Sequence, residues 1–238
     1  MPLVFYNTNR ICTHLRPMQL LIRALLKLVA GLLLLATLLF GSAGSLHFVG
    51  AWRLLALLFI PMTLLGIALL ILAPKLLRSR VEMKETRGKQ RGVVSLSGLL
   101  FVACFIVAGL DYRFAWSAVP TYIIWCASLL FILGYMLYAE VMRENRWLSR
   151  SVEVVEGQEV VSTGLYGIVR HPMYSATIAM FLAMPLILGS WWALATMLPY
   201  IAIIAIRILD EEQLLHQSLA GYTAYCTKVR WRLLPYVW

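Results

Sequence analysis

Long apolar blocks alternate with short polar segments along the chain. A helix needs about 20 mostly apolar residues to cross the hydrocarbon core of a bilayer, and most of these blocks reach or approach that length. Only Gly189 and Ser190 separate the last two blocks, which predicts a tight helical hairpin there. The six blocks span residues 18–40, 52–73, 93–110, 118–141, 174–188 and 191–206. This pattern predicts an all-α membrane protein with about six transmembrane helices.

The composition favours lipid over water as the solvent of these blocks. Hydrophobic residues make up 61% of the 238 residues and charged residues 13%, whereas soluble domains average roughly 45–50% and about 25%. The formal net charge of +10 is carried between the blocks instead of along one face, a distribution that favours anionic lipid headgroups over nucleic acid as partner. The four cysteines form no CxxC pair and no spacing suited to a metal ion.

The distribution of Lys and Arg predicts the orientation of the helices. Segment 75–91 holds seven of these residues. If it is cytoplasmic, nineteen of the 21 basic residues lie on that side, and only Arg53 and Arg113 lie opposite. Both termini are then expected in the cytoplasm, where loops collect Lys and Arg. The N-terminal residues 1–17 read as a cytoplasmic tail without a signal-peptide cleavage site. The compact size and the absence of a retention signal favour a bacterial inner membrane.

The first polar segment with candidate chemistry ends at the fifth apolar block. Pro172 suits the first turn of a helix, where its missing N–H costs nothing. Arg170 and His171 would then lie at the helix entrance, beside free backbone N–H groups that favour an anionic ligand. The alternative is that Arg170 anchors the chain at the membrane surface and that His171 only caps the helix.

The second segment follows the sixth block. Arg207 and Glu211 are one helical turn apart and therefore share a face, and Asp210 and Glu212 flank Glu211. The alternative is a surface ion pair with solvated acids. Beyond the acids, the segment is expected to continue through residues 214–215 as a short amphipathic helix. Tyr222 and Tyr225 either close over this segment or pack at the interface, and the basic, aromatic tail suits the membrane interface.

Several motifs follow one another in a fixed order: a glycine-tyrosine turn, Arg-His-Pro-x-Tyr, a tight hairpin, Arg-x-x-x-Glu-Glu, Gly-Tyr-x-x-Tyr and a basic tail with Leu-Leu-Pro. Their order and spacing resemble the isoprenylcysteine carboxyl methyltransferase family, which belongs to a wider group with membrane phospholipid N-methyltransferases. The resemblance covers residues 145–238, and Leu165 departs from it, because many relatives have proline there. It makes residues 143–238 a methyltransferase core with S-adenosyl-L-methionine as cofactor, and leaves helices 18–142 to select the acceptor. The absence of a Gly-x-Gly-x-x-Gly motif agrees with binding outside a Rossmann domain.

The resemblance also assigns residues by position. Glu211 would hold the amino group of the cofactor, Arg207 would face the substrate, and both would be catalytic. The cofactor-binding residues would be Gln158, Glu159, Val160, Val161, Tyr166, His171, Pro172, Met173, Tyr174 and Glu211.

The acceptor stays open. A carboxylate is already ionised, so it needs a cation such as Arg207 to orient it, and methyl transfer then depends mainly on alignment. A phospholipid amine would need a base, for which His171, Glu211 and Glu212 are candidates; a small thiol is a third acceptor. A transporter or a non-catalytic scaffold is the alternative of another class, although no internal repeat or charge at the middle of a span supports a transporter.

Overall fold

Helices form the regular secondary structure of the residues described by the computed structural model, which are 17–72, 74, 77–78, 88–145, 147–148, 154 and 157–238. A single 3₁₀ turn within these residues, Gly164–Gly167, precedes the fifth helix. The helices are α1 (Pro17–Ala43), α2 (Val49–Leu72), α3 (Gly88–Phe114), α4 (Thr121–Glu144), α5 (Pro172–Leu188), α6 (Trp191–Met197), α7 (Pro199–Ser218) and α8 (Tyr222–Lys228). The predicted tail 1–17, except Pro17, and most of the basic segment 75–91 lie outside the described residues.

Five stretches are long and apolar enough to cross a membrane: α1 to α4, and α6 with α7 together. Only 11% of the most apolar window of α1 or of α2 is buried inside the protein. Their outward Leu and Ile side chains therefore need lipid, since water would leave this apolar surface without a favourable partner. The multi-pass membrane architecture is thus confirmed. Helix α5 has 17 residues, at the lower limit for a span, and the count of six stays a prediction.

The predicted hairpin after α5 is present. Gly189 ends α5 with φ +83°, a left-handed conformation that glycine adopts without strain. The side chain of Ser190 then caps α6 by accepting a hydrogen bond from the amide of Ala193 at 3.0 Å. The chain therefore reverses within two residues.

The helix that begins in the sixth apolar block continues beyond the end of that block. Helix α6 ends at Met197, and α7 begins at Pro199, while Leu198 between them keeps helical angles of φ −56° and ψ −39°. No Gly or Pro interrupts α7 before Ser218. Residues 214–215, which were predicted to be helical, belong to the last part of α7 and do not form a short helix of their own.

A buried acid joins three elements at the end of the bundle away from the Arg-His-Pro motif. Asp111 on α3 accepts hydrogen bonds from the amide of Ser117 at 2.7 Å and from its hydroxyl at 2.5 Å. It also accepts one from the hydroxyl of Ser190, at the start of α6. These donors offset the cost of burying a carboxylate, and they hold the α5–α6 hairpin against α3.

Candidate active site

A cavity lies between the end of α4, the start of α5, the second half of α7 and helix α8. Of the eleven predicted site residues, Pro172 is completely buried beside the cavity, at the first position of α5, and does not line it. The other ten line the cavity: Gln158, Glu159, Val160, Val161, Tyr166, His171, Met173, Tyr174, Arg207 and Glu211. Two sequence segments about 40 residues apart therefore meet around one space, as the helical hairpin between them permits.

Three polar side chains form a hydrogen-bonded chain in the wall of this cavity. Arg207 Nε donates to the hydroxyl of Tyr174 at 2.9 Å, and that hydroxyl donates to Glu211 Oε2 at 2.5 Å. Arg207 and Glu211 lie one turn apart on α7, so Tyr174 of α5 joins two side chains of the same helical face. The guanidinium of Arg207 also lies 5.9 Å from the centre of the Tyr174 ring. A cation and a carboxylate are thus held at fixed positions next to each other.

The neighbouring acid, Glu212, has a structural role. Its side chain is buried and accepts from Arg170 Nη1 at 3.0 Å and from Arg232 Nε at 2.8 Å. His171 Nε2 lies 3.3 Å from the same carboxylate. Arg170 is therefore buried in an ion pair instead of anchoring the chain at the membrane surface. His171 makes no side-chain cap for α5. Its ring contacts Glu212 instead, so the alternative of a purely capping histidine does not hold.

Hydrogen bonds hold the C-terminal segment against the entrance of α5. The amides of Arg170 and His171 each donate at 2.9 Å to the carbonyls of Trp231 and Arg232. The hydroxyl of Ser175 on the first turn of α5 donates to the carbonyl of Leu233 at 2.6 Å. The tail is thus paired to the helix entrance along its backbone, in addition to the Arg232–Glu212 ion pair.

The turn that carries Tyr166 is held by the end of α4. The carboxylate of Glu144 accepts from the amide of Leu165 at 2.9 and 3.2 Å. Gly164 has φ +52°, and a Cβ there would collide with that carboxylate. The amide group of Asn145 donates to the hydroxyl of Tyr166 at 2.9 Å. The main chain and the side chain of Tyr166 are therefore both fixed by residues about 20 positions earlier.

Helix α8 completes the wall with two tyrosines. The hydroxyl of Tyr225 donates to the carbonyl of Tyr166 at 2.6 Å, whereas the buried hydroxyl of Tyr222 has no hydrogen-bond partner among the described residues. Burial raises the pKa of both Tyr222 and Tyr225 well above the ordinary value near 10. Both hydroxyls therefore stay protonated at neutral pH, and that of Tyr222 is available to donate to a ligand in the cavity.

Several lining residues were absent from the predicted set. They are Asn145, Trp147, Leu148, Arg170, Leu214, Leu215, Leu219, Tyr222 and Tyr225. Leu214 and Leu215 continue the helical face of Arg207 and Glu211 at intervals of three and four residues, a signal that the sequence contains. No local pattern indicates Asn145, because its contact with Tyr166 joins two separate elements.

Comparison with known proteins identifies a family for much of this region. Residues 122–220 match the phospholipid methyltransferase family model. The matched segment runs from the start of α4 past the end of α7, and it contains every cavity residue except Tyr222 and Tyr225. The resemblance to the wider group of membrane methyltransferases is thereby confirmed over this segment.

A second comparison identifies a curated relative. Delta(14)-sterol reductase of Mus musculus is 26% identical over 128 residues, which are 46% of this chain and 30% of that protein. The chain thus spans less than a third of the length of this relative.

Proposed function

We propose that the protein is an integral membrane methyltransferase that uses S-adenosyl-L-methionine to methylate a lipophilic acceptor. The observation that carries this proposal is the chain Arg207–Tyr174–Glu211, which fixes a cation beside a carboxylate in one cavity. The family match over residues 122–220 supports the reaction class.

The polar groups in the cavity suit this cofactor. S-adenosyl-L-methionine combines an ammonium group, a carboxylate and ribose hydroxyls with a methyl sulfonium, which supplies the methyl group. Among the described residues, Glu211 has one hydrogen-bonding partner, Tyr174, so its second oxygen is an acceptor for an ammonium group. The Tyr222 hydroxyl is a donor without a partner in the described chain. The rings of Tyr166, Tyr174 and Tyr225 line the same space and provide faces that attract a cation.

The role of Arg207 is to hold and orient the acceptor. Arg207 is half-buried on α7 and lines the cavity together with Glu211. An acceptor bound in the cavity therefore lies within reach of a fixed cation. Alignment of a bound nucleophile with the methyl group provides a large part of the rate acceleration in such displacements.

Our first candidate for the acceptor is a carboxylate, as in isoprenylcysteine carboxyl methylation. Arg207 can bind an ionised carboxylate directly. Such an acceptor carries no proton that a base must remove before methyl transfer. The pH dependence tests this candidate: the rate stays flat between about pH 6 and pH 9, since a carboxyl group is ionised throughout that range.

A phospholipid amine is the second candidate, because the matching family model is that of phospholipid methyltransferases. An amine must be deprotonated before it attacks, so its methylation rises with pH up to the pKa of the amine. Arg207→Ala separates the candidates further. It abolishes carboxyl methylation, because the cation that orients the acceptor is gone, and it leaves part of any amine methylation. A small thiol is the third candidate. Its methylated product would be soluble in water, so the labelled product would remain in the aqueous phase when the reaction is extracted with organic solvent.

We further propose six spans with both termini in the cytoplasm, in a bacterial inner membrane, so that the cavity opens to the cytoplasmic side. The basic segment 75–91 and the C-terminal cations support this orientation. Accessibility of a cysteine introduced at exposed Gln217 to a membrane-impermeant reagent tests it. Labelling is expected only from the cytoplasmic face, and labelling from the opposite face contradicts the orientation.

Ligand binding separates this proposal from other classes of protein. Calorimetry of the purified chain is expected to show binding of S-adenosyl-L-methionine and weakened binding by Glu211→Ala. A reductase, the activity named for the curated relative, requires a hydride donor such as NADPH. Binding of NADPH without binding of S-adenosyl-L-methionine would contradict the proposal in favour of reduction, and binding of neither would favour a transporter or scaffold.

A further inference from the structure

The last nine residues, 230–238, form a closed turn that we call the C-terminal lip. The amides of Arg232 and Leu233 donate to the carbonyl of Trp238 at 2.7 and 3.0 Å. The amides of Val237 and Trp238 donate back to the carbonyl of Leu234 at 3.2 and 3.3 Å. The rings of Trp231 and Tyr236 lie 5.4 Å apart. The lip is therefore an ordered element whose backbone hydrogen bonds are made within itself and with the entrance of α5.

The outer side of the lip is apolar and unusually exposed. The exposed fraction is 88% for Tyr236 and 73% for Val237, and Leu234 is also exposed. Ile168, two residues before the Arg170 amide that pairs with Trp231, is exposed as well. Several exposed apolar side chains on one short segment mark a surface that contacts something other than water.

The position of the lip is fixed at the point where α5 begins. Its backbone pairs with Arg170 and His171, the two residues directly before the first residue of α5. Helix α5 continues from there as an apolar helix among the spans. The exposed apolar residues of the lip are thus held beside the first turn of an apolar helix. If α5 spans the membrane as proposed, this turn lies where lipid headgroups meet hydrocarbon.

The positive charge of residues 228–238 favours anionic lipids over neutral ones. Residues 228–238 carry Lys228, Arg230 and Arg232 and no acid. Arg232 is paired with Glu212, whereas Lys228 and Arg230 are exposed. Two exposed cations beside an apolar edge complement an anionic headgroup, and each such cation strengthens attraction to an anionic surface roughly fivefold.

We propose that the C-terminal lip is a binding surface for anionic phospholipid, with Leu234, Tyr236 and Val237 in the interface and with Lys228 and Arg230 at the headgroup phosphates. The surface is separate from the cavity, so the proposal does not depend on the identity of the cofactor or the acceptor. Its occupant is a bilayer lipid, not a second copy of the chain or a soluble protein.

Photocrosslinking of the full chain in bilayer nanodiscs tests the occupant directly. The photoreactive residue p-benzoylphenylalanine replaces Tyr236, whose exposure makes the substitution compatible with folding. The nanodiscs contain equal amounts of phosphatidylcholine and phosphatidylglycerol, and mass spectrometry identifies the adducts. The matched control carries the same residue at Gln217, which is exposed at the end of α7.

The expected result is a phospholipid adduct at position 236 in which phosphatidylglycerol exceeds phosphatidylcholine at least about fivefold, the contribution of a single cation near the surface. Combining the photoreactive residue with Lys228→Gln and Arg230→Gln is expected to reduce this ratio towards one. Position 217 is expected to give little lipid adduct. A crosslinked dimer, no lipid adduct at 236, or a lipid adduct without preference for phosphatidylglycerol would each overturn the proposal.

Discussion

The hydroxyl of Tyr174 lies 2.5 Å from the carboxylate of Glu211, although 37 residues separate the two in the sequence. The same hydroxyl accepts from Arg207 at 2.9 Å, so one oxygen atom sets the positions of both charged groups. The geometry of the proposed cofactor end and that of the proposed acceptor end are therefore coupled through a single tyrosine.

Replacing Tyr174 by Phe removes this coupling while keeping the ring. Two hydrogen bonds to charged groups are lost, and each contributes about 1.5–3 kcal/mol in proteins. We expect binding of S-adenosyl-L-methionine to weaken by about tenfold or more, measured by calorimetry, with the turnover of acceptor reduced as well. Tyr200→Phe is the matched control, since Tyr200 is equally buried and does not line the cavity. Equal effects of the two substitutions would show that general packing, and not the hydroxyl of Tyr174, is responsible.

Replacing the buried acid Glu212 is expected to lower the stability of the protein, whereas replacing Glu211 is expected to weaken cofactor binding. Glu212→Ala leaves the buried cation of Arg170 without its carboxylate, and breaking such a pair costs about 3 kcal/mol. For a protein of this size we expect the melting temperature to fall by about 10 °C. The exposed pair of Glu140 and Arg143 is the control, and Glu140→Gln is expected to leave the melting temperature nearly unchanged. A Glu212→Ala variant that melts with the wild type would contradict the structural role.

Gly164 tests the turn that carries Tyr166. Ala at this position must adopt φ near +52° and must also displace the carboxylate of Glu144. We expect Gly164→Ala to weaken cofactor binding at least tenfold, because Tyr166 can no longer keep its place in the cavity wall. Gly157→Ala imposes a similar backbone strain, with φ +74°, but no described atom lies within 4 Å of its Cβ. The two variants therefore separate backbone strain from collision, and equal binding by both would rule out the collision.

Removing the hydroxyl of Tyr222 is expected to affect stability and cofactor binding in opposite directions. An unpaired buried hydroxyl destabilises a protein, so Tyr222→Phe is expected to keep or raise the melting temperature of the unliganded protein. With S-adenosyl-L-methionine bound, the same variant is expected to bind several-fold more weakly between pH 6 and pH 9. The effect is constant over this range because the raised pKa of Tyr222 keeps the hydroxyl protonated. Unchanged affinity would show that the hydroxyl does not contact the cofactor.

Much of this architecture follows from the sequence because its signals are local. Apolar blocks indicate α1 to α4, and Gly189 with Ser190 indicates the hairpin. The motif around Pro172 marks the start of α5 correctly, since proline at the first helical position is a property of the chain itself. Arg207 and Glu211 share a helical face for a similar reason, their spacing of four residues.

The remaining features depend on contacts between distant segments. Nothing near Glu144 indicates that its carboxylate holds the amide of Leu165. Likewise, the partner of Glu212 in the tail, Arg232, is 20 residues away and belongs to no shared periodic pattern. Helix α7 also continues well beyond the sixth apolar block, because hydropathy falls at the acids of α7 while the backbone hydrogen bonds of the helix continue. A helix ends where its hydrogen bonds stop, and polarity alone does not set that point.

Transfer of a radiolabelled methyl group tests the central claim most directly. The purified protein, reconstituted in lipid, is incubated with methyl-labelled S-adenosyl-L-methionine and a membrane lipid extract, and the organic phase is counted and separated. The proposal predicts label in a lipophilic product with the wild type and with Tyr200→Phe, and a loss of label with Glu211→Ala. Absence of labelled product with the wild type, or equal labelling by Glu211→Ala, would contradict it.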